Sequence, residues 1–182
     1  MAEKQKTIII TAIIAVLFIG VIFGAYFGYK KLSEKYDPSG TVSAGGKEEY
    51  KNFSMTDTAN NKVNLSDFIG QPVVINFWAY WCEPCKSELP HFDKLAKEYD
   101  GRVKFLMVNV FSDDKKDKAL DFVSRNGYTF SLYFDNEDSA VSAYGISAVP
   151  ETIFISSDGK IAARRVGAMS EAVLRNYLTQ LL

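Results

Sequence analysis

The chain has 182 residues, of which 47% are hydrophobic, 24% charged and 14% aromatic, and its net charge is −1. This composition excludes a disordered chain, and the near-zero charge gives no sign of the basic surface with which proteins bind nucleic acids. Two cysteines are too few for a disulfide-stapled miniprotein, and they cannot fill a four-ligand zinc site by themselves. The sequence therefore predicts one globular domain with room for a tail or an anchor.

The first feature along the chain is an uncharged, apolar segment at residues 7–29. As a helix it would extend about 35 Å, which is enough to cross the hydrocarbon core of a bilayer. A cleaved signal peptide, the alternative, would have a shorter core and a small-residue cleavage site, and no Ala-x-Ala pattern follows here. We therefore expect a cytoplasmic stub and a transmembrane anchor over residues 1–32. The lysines that flank the segment do not decide its orientation.

Residues 33–47 are polar and rich in Gly, Ser and Pro, a composition that predicts a flexible linker. The folded domain is then expected over residues 48–182. The net charge is positive in the anchor region and negative in the remainder, which favours solubility of the domain.

Strand and helix patterns alternate from residue 48 onward. This alternation predicts an α/β fold in which a central mixed sheet is covered by helices on both faces. The predicted elements, in chain order, are a hairpin with its turn at 59–61, a buried strand at 73–79, a helix with its apolar positions at 89–99, a buried strand at 103–110, a helix around 119–123, a short strand at 130–134, a short helix at 137–144, a hairpin of strands 152–155 and 161–166, and a closing helix around 174–181.

Both cysteines lie in one Cys-x-x-Cys motif, directly after the buried strand and at the start of a helix. That context is the one expected of a redox-active dithiol. The N-terminus of a helix offers unpaired N–H groups and partial positive charge, which stabilise the attacking thiolate. We predict Cys82 as the exposed nucleophile and Cys85 as the resolving thiol. Between them, Pro84 suits the first helical turn, and Glu83 is placed to tune the redox potential.

Two other interpretations of the motif compete with catalysis. A structural disulfide has no need of a position between a strand and a helix. A metal site needs further ligands, and the only histidine is His91, which is expected on the helix surface. The sequence therefore favours a redox enzyme without a metal, whose only redox group is the Cys82–Cys85 disulfide.

Residues 77–86, Phe-Trp-Ala-Tyr-Trp-Cys-Glu-Pro-Cys-Lys, resemble the active-site segment of thioredoxin-fold proteins, above all the membrane-anchored TlpA/ResA/CcmG-like thiol-disulfide oxidoreductases. The resemblance covers about residues 48–182. Pro90 matches a proline in the family's active-site helix, and Pro150, within residues 145–152, matches the family's cis-proline.

The resemblance implies a thioredoxin-like fold with an N-terminal hairpin extension, preceded by one transmembrane helix. It implies an enzyme that exchanges disulfides with protein substrates, and a domain outside the cytoplasm. A membrane electron donor or acceptor, of the CcdA/DsbD type, is the implied redox partner. Cytochrome c maturation is the implied setting, because Glu-Thr at 151–152 is similar to that branch of the family.

One position departs from thioredoxin itself. Asn76 stands where thioredoxins carry a buried Asp that helps to move protons to the resolving cysteine, and an amide cannot take up a proton. Glu88 matches the family's acidic residue in Cys-x-x-Cys-x-x-Glu, and on a helix it shares a face with Cys85. We therefore predict Glu88 as the catalytic group that accepts the proton. The alternative is a solvated Glu on the helix surface.

Three residues are expected to bind the substrate, namely Trp81, Val149 and Pro150. Because proline has no N–H, the backbone of Val149 is left free to pair with an extended polypeptide. The alternative is a trans proline in an ordinary loop.

The direction of electron flow is left open by the sequence. The resemblance to the ResA/CcmG branch favours a reductant of specific substrates, such as the haem-site thiols of apocytochrome c. A disulfide-forming oxidase, a non-catalytic binding module and a copper carrier are the other possibilities.

Overall fold

The computed structural model describes residues 17–28, 48–111 and 116–182, together with the backbone of residues 41–44. The chain divides into two units, Met1–Asp37 and Pro38–Leu182. In the first unit, residues 17–28 are helical (α1) and their large apolar side chains are exposed. Among the described residues no helix is both long and apolar enough to cross a membrane. The predicted anchor stays a prediction, because much of it lies outside the described residues.

The second unit contains one eight-stranded sheet with the order β1-β8-β7-β4-β5-β6-β2-β3. The pairs β4–β5 and β5–β6 are parallel and the others are antiparallel, so the sheet is mixed, as predicted. Its elements are β1 (Thr41–Ala44), β2 (Ser54–Asp57), β3 (Lys62–Asn64), a 3-10 helix (Leu65–Phe68), β4 (Val73–Trp78), α2 (Glu83–Glu98), β5 (Lys104–Asn109), α3 (Lys116–Arg125), β6 (Leu132–Phe134), α4 (Ser139–Tyr144), β7 (Glu151–Ile155), β8 (Ile161–Val166) and α5 (Glu171–Leu181).

Strand β4 lies in the middle of the sheet, and all of its residues are buried. Successive side chains of a strand point to opposite faces. Val74 and Trp78 accordingly join a core formed with α2, α3 and α5, whereas Ile75 and Phe77 join a second core formed with α4. The prediction of helices on both faces is confirmed, and Asn76 is placed on the same face as α2.

Both predicted hairpins form. β2 pairs with β3 at one edge of the sheet, which confirms the hairpin extension, and β7 pairs with β8. In the second turn Gly159 has a φ of 83°, in the left-handed region that favours glycine. A Cβ at this position would lie only 3.1 Å from the ring of Tyr50.

The linker expected at residues 33–47 differs from the structure in one respect. Residues 41–44 form strand β1, which pairs antiparallel with β8 from Thr41 opposite Val166 to Ala44 opposite Ala163. The physical reason is that β8 would otherwise leave a row of backbone N–H and C=O groups unpaired at the sheet edge, and Thr and Val are good strand formers. The fully flexible linker is therefore corrected to one that contains an edge strand.

Candidate active site

The two cysteines lie where the central strand gives way to a helix. β4 ends at Trp78 and α2 begins at Glu83, so that Cys82 is the N-cap residue of α2. The backbone N–H of Cys85 donates to Sγ of Cys82 at 3.2 Å, and Pro84 lies in the first turn, where a missing N–H costs little. The start of the helix thus directs a backbone N–H at the sulfur of Cys82.

Cys82 and Cys85 form a disulfide with an S–S distance of 2.11 Å. Cys82 was expected to be exposed, but the residue is only 5% exposed, because the carbonyl oxygen of Val149 lies 3.5 Å from its sulfur. Cys85 is not exposed at all. Cys82 is therefore the more accessible of the two cysteines.

The exposed apolar group beside the disulfide is Trp81, at 51% exposure, whereas Trp78 is fully buried. The indole Nε1 of Trp81 lies 3.4 Å from the carbonyl oxygen of Phe111, to which it donates. Phe111 has a φ of 53°, which is uncommon for a residue with a bulky side chain. The loop after β5 thus holds the ring of Trp81 at the edge of the site.

The peptide bond between Val149 and Pro150 is cis, so the trans alternative is wrong. Pro150 is buried and Val149 is partly buried. The carbonyl oxygen of Pro150 accepts a hydrogen bond of 2.8 Å from the N–H of Gly167, which fixes this loop to the residues that follow β8. The structure thus brings the 149–150 segment to the sulfur of Cys82.

Glu88 is fully buried, so the alternative of a solvated surface residue is wrong. Its Oε1 accepts from Nδ2 of Asn76 at 2.8 Å, and its Oε2 accepts from the N–H of Met169 at 2.9 Å. Both carboxylate oxygens are therefore hydrogen-bonded inside the core, one turn along α2 from Cys85.

Burial raises the pKa of Glu88 to about 7, because it disfavours the charged form. The hydrogen bonds from Asn76 and Met169 act in the opposite direction, and so does the positive charge of Arg165 on β8. A carboxyl group with such a pKa can both take up and release a proton near neutral pH.

Asn76 also donates from Nδ2 to Oγ1 of Thr152, at 3.0 Å. Strands β4 and β7 are paired in a register that places these two residues opposite each other. From the sequence, Asn76 stood out only as a departure from thioredoxin and Thr152 only as part of the Glu-Thr pair, and neither their contact nor the role of Met169 was predicted. No sequence signal marks Met169, since it acts through its backbone.

The two residues expected to tune the potential are at the surface. Glu83 and Pro84 are exposed, and Oε1 of Glu83 lies 2.6 Å from Nζ of Lys86 in an ion pair within the first turns of α2. An exposed pair of this kind contributes little to stability. It does place one negative and one positive charge next to the disulfide.

No group of three or more His, Cys, Asp or Glu residues that could hold a metal ion occurs in the described part of the chain. Both cysteines are joined to each other, so the redox chemistry of the site is that of one sulfur pair. A sheet of this topology with a disulfide at the start of a helix, next to a cis-proline, defines the class of thioredoxin-like thiol-disulfide oxidoreductases.

Comparisons with known proteins agree with this assignment to the thioredoxin-like thiol-disulfide oxidoreductases. The model of the AhpC/TSA family matches residues 47–164. The thiol-disulfide oxidoreductase ResA of Bacillus subtilis (strain 168) is 30% identical over 182 residues, which cover 98% of this chain and 94% of that protein. The chain thus belongs to the AhpC/TSA family and is a ResA-like thiol-disulfide oxidoreductase.

Two solved structures confirm the thioredoxin-like fold. StoA from Bacillus subtilis is 26% identical with a TM-score of 0.61, over 70% of this chain and 96% of that one. A structure described as a putative thiol:disulfide interchange protein DsbE from Chlorobium tepidum has a TM-score of 0.68, over 78% of this chain and 99% of that one, and at 24% identity it supports the fold alone.

Proposed function

We propose that this protein is a membrane-anchored, extracytoplasmic enzyme that reduces disulfides of protein substrates through Cys82 and Cys85. The observation that carries the proposal is the Cys82–Cys85 disulfide at the N-terminus of α2, next to Val149. A structural disulfide would have no need of the neighbouring buried carboxyl group of Glu88. The dithiol carries the two electrons itself, so the reaction requires no bound cofactor.

In the proposed reaction the thiolate of Cys82 attacks one sulfur of the substrate disulfide. A bond forms between that sulfur and Sγ of Cys82, and the other substrate sulfur leaves as a thiolate. Cys85 then gives up its proton and attacks Sγ of Cys82, which re-forms the Cys82–Cys85 disulfide and releases the second substrate thiolate. The enzyme is oxidised by two electrons and the substrate is reduced by two.

The surroundings of the sulfurs support these assignments. The N–H of Cys85 is 3.2 Å from Sγ of Cys82 and would stabilise a thiolate there. Glu88, with its pKa raised to about 7 by burial, is the group that would accept the proton of Cys85. Glu83, paired with Lys86, and Pro84 are the proposed modulators of the potential.

The proposed binding surface for the substrate is formed by Trp81, Val149 and Pro150. Trp81 offers an exposed aromatic face beside the disulfide, and the segment at Val149 meets the sulfur of Cys82. An extended polypeptide that pairs with the backbone there would bring its own disulfide to Cys82.

The proposed location rests on two features of the sequence. The uncharged segment 7–29 is long enough to be an anchor, and the described part of it, 17–28, exposes its apolar side chains. The chain contains no cysteine besides the active pair, so an exported domain would have no spare thiol to mispair. A membrane protein of the CcdA/DsbD type would return the enzyme to its reduced form.

The most specific parts of the proposal are that the enzyme acts as a reductant and that it takes part in cytochrome c maturation. Similarity to ResA and the Glu-Thr pair after Pro150 support them. The deciding measurement is the reduction potential of Cys82–Cys85. A value near that of thioredoxin, about −270 mV, supports a reductant, whereas a value near that of DsbA, about −120 mV, would assign the protein to disulfide formation instead.

A second experiment tests catalysis itself. Cys82→Ser and Cys85→Ser variants of the full chain are expected to lose the reduction of insulin disulfides. Ala162→Ser, which also introduces a serine but at an exposed position of β8, serves as the control and should keep full activity. If cells carrying either cysteine variant kept the phenotype of the unaltered protein, its role would be that of a binding module and would not require disulfide exchange.

A further inference from the structure

The buried amide of Asn76 has an unusual set of hydrogen bonds. Its Nδ2 donates to two acceptors, Oε1 of Glu88 at 2.8 Å and Oγ1 of Thr152 at 3.0 Å. Its Oδ1, in contrast, has no partner among the described residues. A buried acceptor without a partner is unfavourable, because it has lost its hydrogen bonds to water and gained none in the protein. The orientation of the amide is therefore explained by its two acceptors and not by its own carbonyl group.

The amide links three elements of the fold around one carboxyl group. Asn76 is on β4, Glu88 is on α2, and Thr152 is on β7, two residues after Pro150. The register of β4 and β7 sets Asn76 directly opposite Thr152, so the hydroxyl of Thr152 holds the amide from the neighbouring strand. The carboxyl group of Glu88 cannot rotate without breaking this chain of hydrogen bonds.

We propose that Asn76, held in place by Thr152, is a positioning residue that orients the carboxyl group of Glu88 for proton exchange with Cys85. This inference rests on the proposed function, in which Glu88 accepts the proton of Cys85. Asn76 does not touch the substrate or the sulfurs in this role, and it carries no proton in the reaction.

The charges and dipoles around Glu88 predict the effect of removing this amide. The donors that face the carboxyl group are Nδ2 of Asn76 and the N–H of Met169, and Arg165 on β8 is the cation that acts on it. All three favour the ionised form, while burial favours the neutral form. Loss of one donor should therefore raise the pKa of Glu88 further.

The decisive variant is Asn76→Leu in the purified, full-length, oxidised protein in detergent micelles. The pKa of Glu88 is read from carbon-13 NMR of labelled Glu carboxyl groups, with Glu88→Gln to identify its signal. We expect the pKa to rise by about one unit. The pH profile of disulfide exchange should shift in the same direction. A merely structural role of Asn76 would change stability without moving either readout.

Asn109→Leu is the matched control. Asn109 is also a buried amide on a central strand, but it donates to the carbonyl oxygen of Trp78, at 3.4 Å. Its replacement should disturb the core to a similar degree and leave the pKa of Glu88 in place. If Asn76→Leu moved this pKa no further than Asn109→Leu does, the positioning role would be disproved.

Thr152 provides a second test, which decides the matter if Asn76→Leu does not fold. Thr152→Val removes the hydroxyl that accepts from Asn76 and keeps the shape of the side chain. It should shift the pKa of Glu88 and the pH profile upward, by less than Asn76→Leu does. Thr152→Ser keeps the hydroxyl and should restore both to the values of the unaltered protein. No shift in Thr152→Val would contradict the inference.

The outcome for Glu88→Gln separates this inference from the proposed function. If Glu88→Gln abolishes the pH dependence of exchange and Asn76→Leu does not move it, only the positioning role is lost. If Glu88→Gln retains the original pH profile, Glu88 does not accept the proton, and that step of the proposed function fails together with the inference.

Discussion

The side-chain amide of Asn76 and the carboxyl group of Glu88 lie 2.8 Å apart, and both residues are fully buried. The central strand of the sheet thus contacts the active-site helix through a polar pair inside the core. A carboxyl group in such a place binds its proton more tightly in the folded protein than in the unfolded chain. Protonation of Glu88 is therefore coupled to stability.

The first prediction concerns stability against pH. Because the pKa of Glu88 is raised from 4.5 to about 7, the stabilisation from its proton is fully present below pH 4.5 and is lost as the pH rises through 7. The oxidised protein should lose on the order of 3 kcal/mol over this range relative to Glu88→Gln. Denaturant unfolding followed by tryptophan fluorescence measures the difference.

The comparison with Glu88→Gln cancels the contribution of the other buried carboxyl groups to the pH dependence of stability. Burial also raises the pKa values of Asp135 and Glu151, but both groups are present in the two proteins and cancel. If the two stability curves ran parallel from pH 4.5 to 7.5, folding would not raise the pKa of Glu88 and its buried environment would be assigned wrongly.

The second prediction separates the roles of the two cysteines. Cys85→Ser should accumulate a mixed disulfide between Cys82 and a substrate protein, because no resolving thiol is left to release it. Cys82→Ser should accumulate far less, since Cys85 is completely buried. Non-reducing gel electrophoresis after incubation with a disulfide-bonded substrate measures the adduct. Equal trapping by both variants would mean that either sulfur can be the nucleophile.

The third prediction contrasts the two tryptophans. Trp78→Ala should destabilise the domain by about 3–5 kcal/mol, because the ring is fully buried and packs against Phe122. Trp81→Ala should change stability by less than about 0.5 kcal/mol, since half of the residue is exposed. Its effect should instead be a higher KM for a protein substrate. An unchanged KM would remove Trp81 from the binding surface.

The fourth prediction concerns the ion pair that follows the cis-proline. Glu151 is almost fully buried, and Nε of Arg164, which is partly exposed, contacts its carboxylate. Arg164→Met leaves that carboxylate without its partner and should destabilise the domain by about 2 kcal/mol at neutral pH. The loss should be smaller in acid, where Glu151 is protonated.

A matched control for this pair is the double variant Arg164→Met with Glu151→Gln, which removes the unpaired charge and should regain part of the stability. Thermal unfolding at two pH values tests both variants. A loss from Arg164→Met that did not depend on pH would mean that the contact with Glu151 contributes through packing alone.

Much of the fold follows from patterns that are local in the sequence. The apolar run at β4 and the hairpin turns predict their elements to within a few residues, because burial and turn chemistry act over short stretches. The Cys-x-x-Cys motif at a strand-to-helix junction predicts the redox site for the same reason.

The hydrogen bonds around Glu88 could not be predicted from the sequence, because they depend on the register between strands that are distant along the chain. The hydrogen bond from Asn76 to Thr152 spans 76 positions and exists only because β4 and β7 align in one register. The hydrogen bond from the N–H of Met169 could not be predicted either, because every residue except proline has a backbone N–H. The burial of Arg165 was predictable from the sequence pattern, since Arg165 and the buried Ala163 are two residues apart on β8 and therefore point to the same face.

The pairing of residues 41–44 with β8 has a consequence for the behaviour of the protein at high concentration. Without β1, the six-residue strand β8 would present an open edge, onto which a second molecule could add a strand of its own. The opposite edge, β3, has only three residues and begins with a lysine, which discourages such pairing. With β1 in place the outermost strand has four residues instead of six, and a shorter edge offers less backbone to a second molecule. The segment around residues 41–44 thus limits edge-to-edge aggregation, a role separate from its reach as a tether.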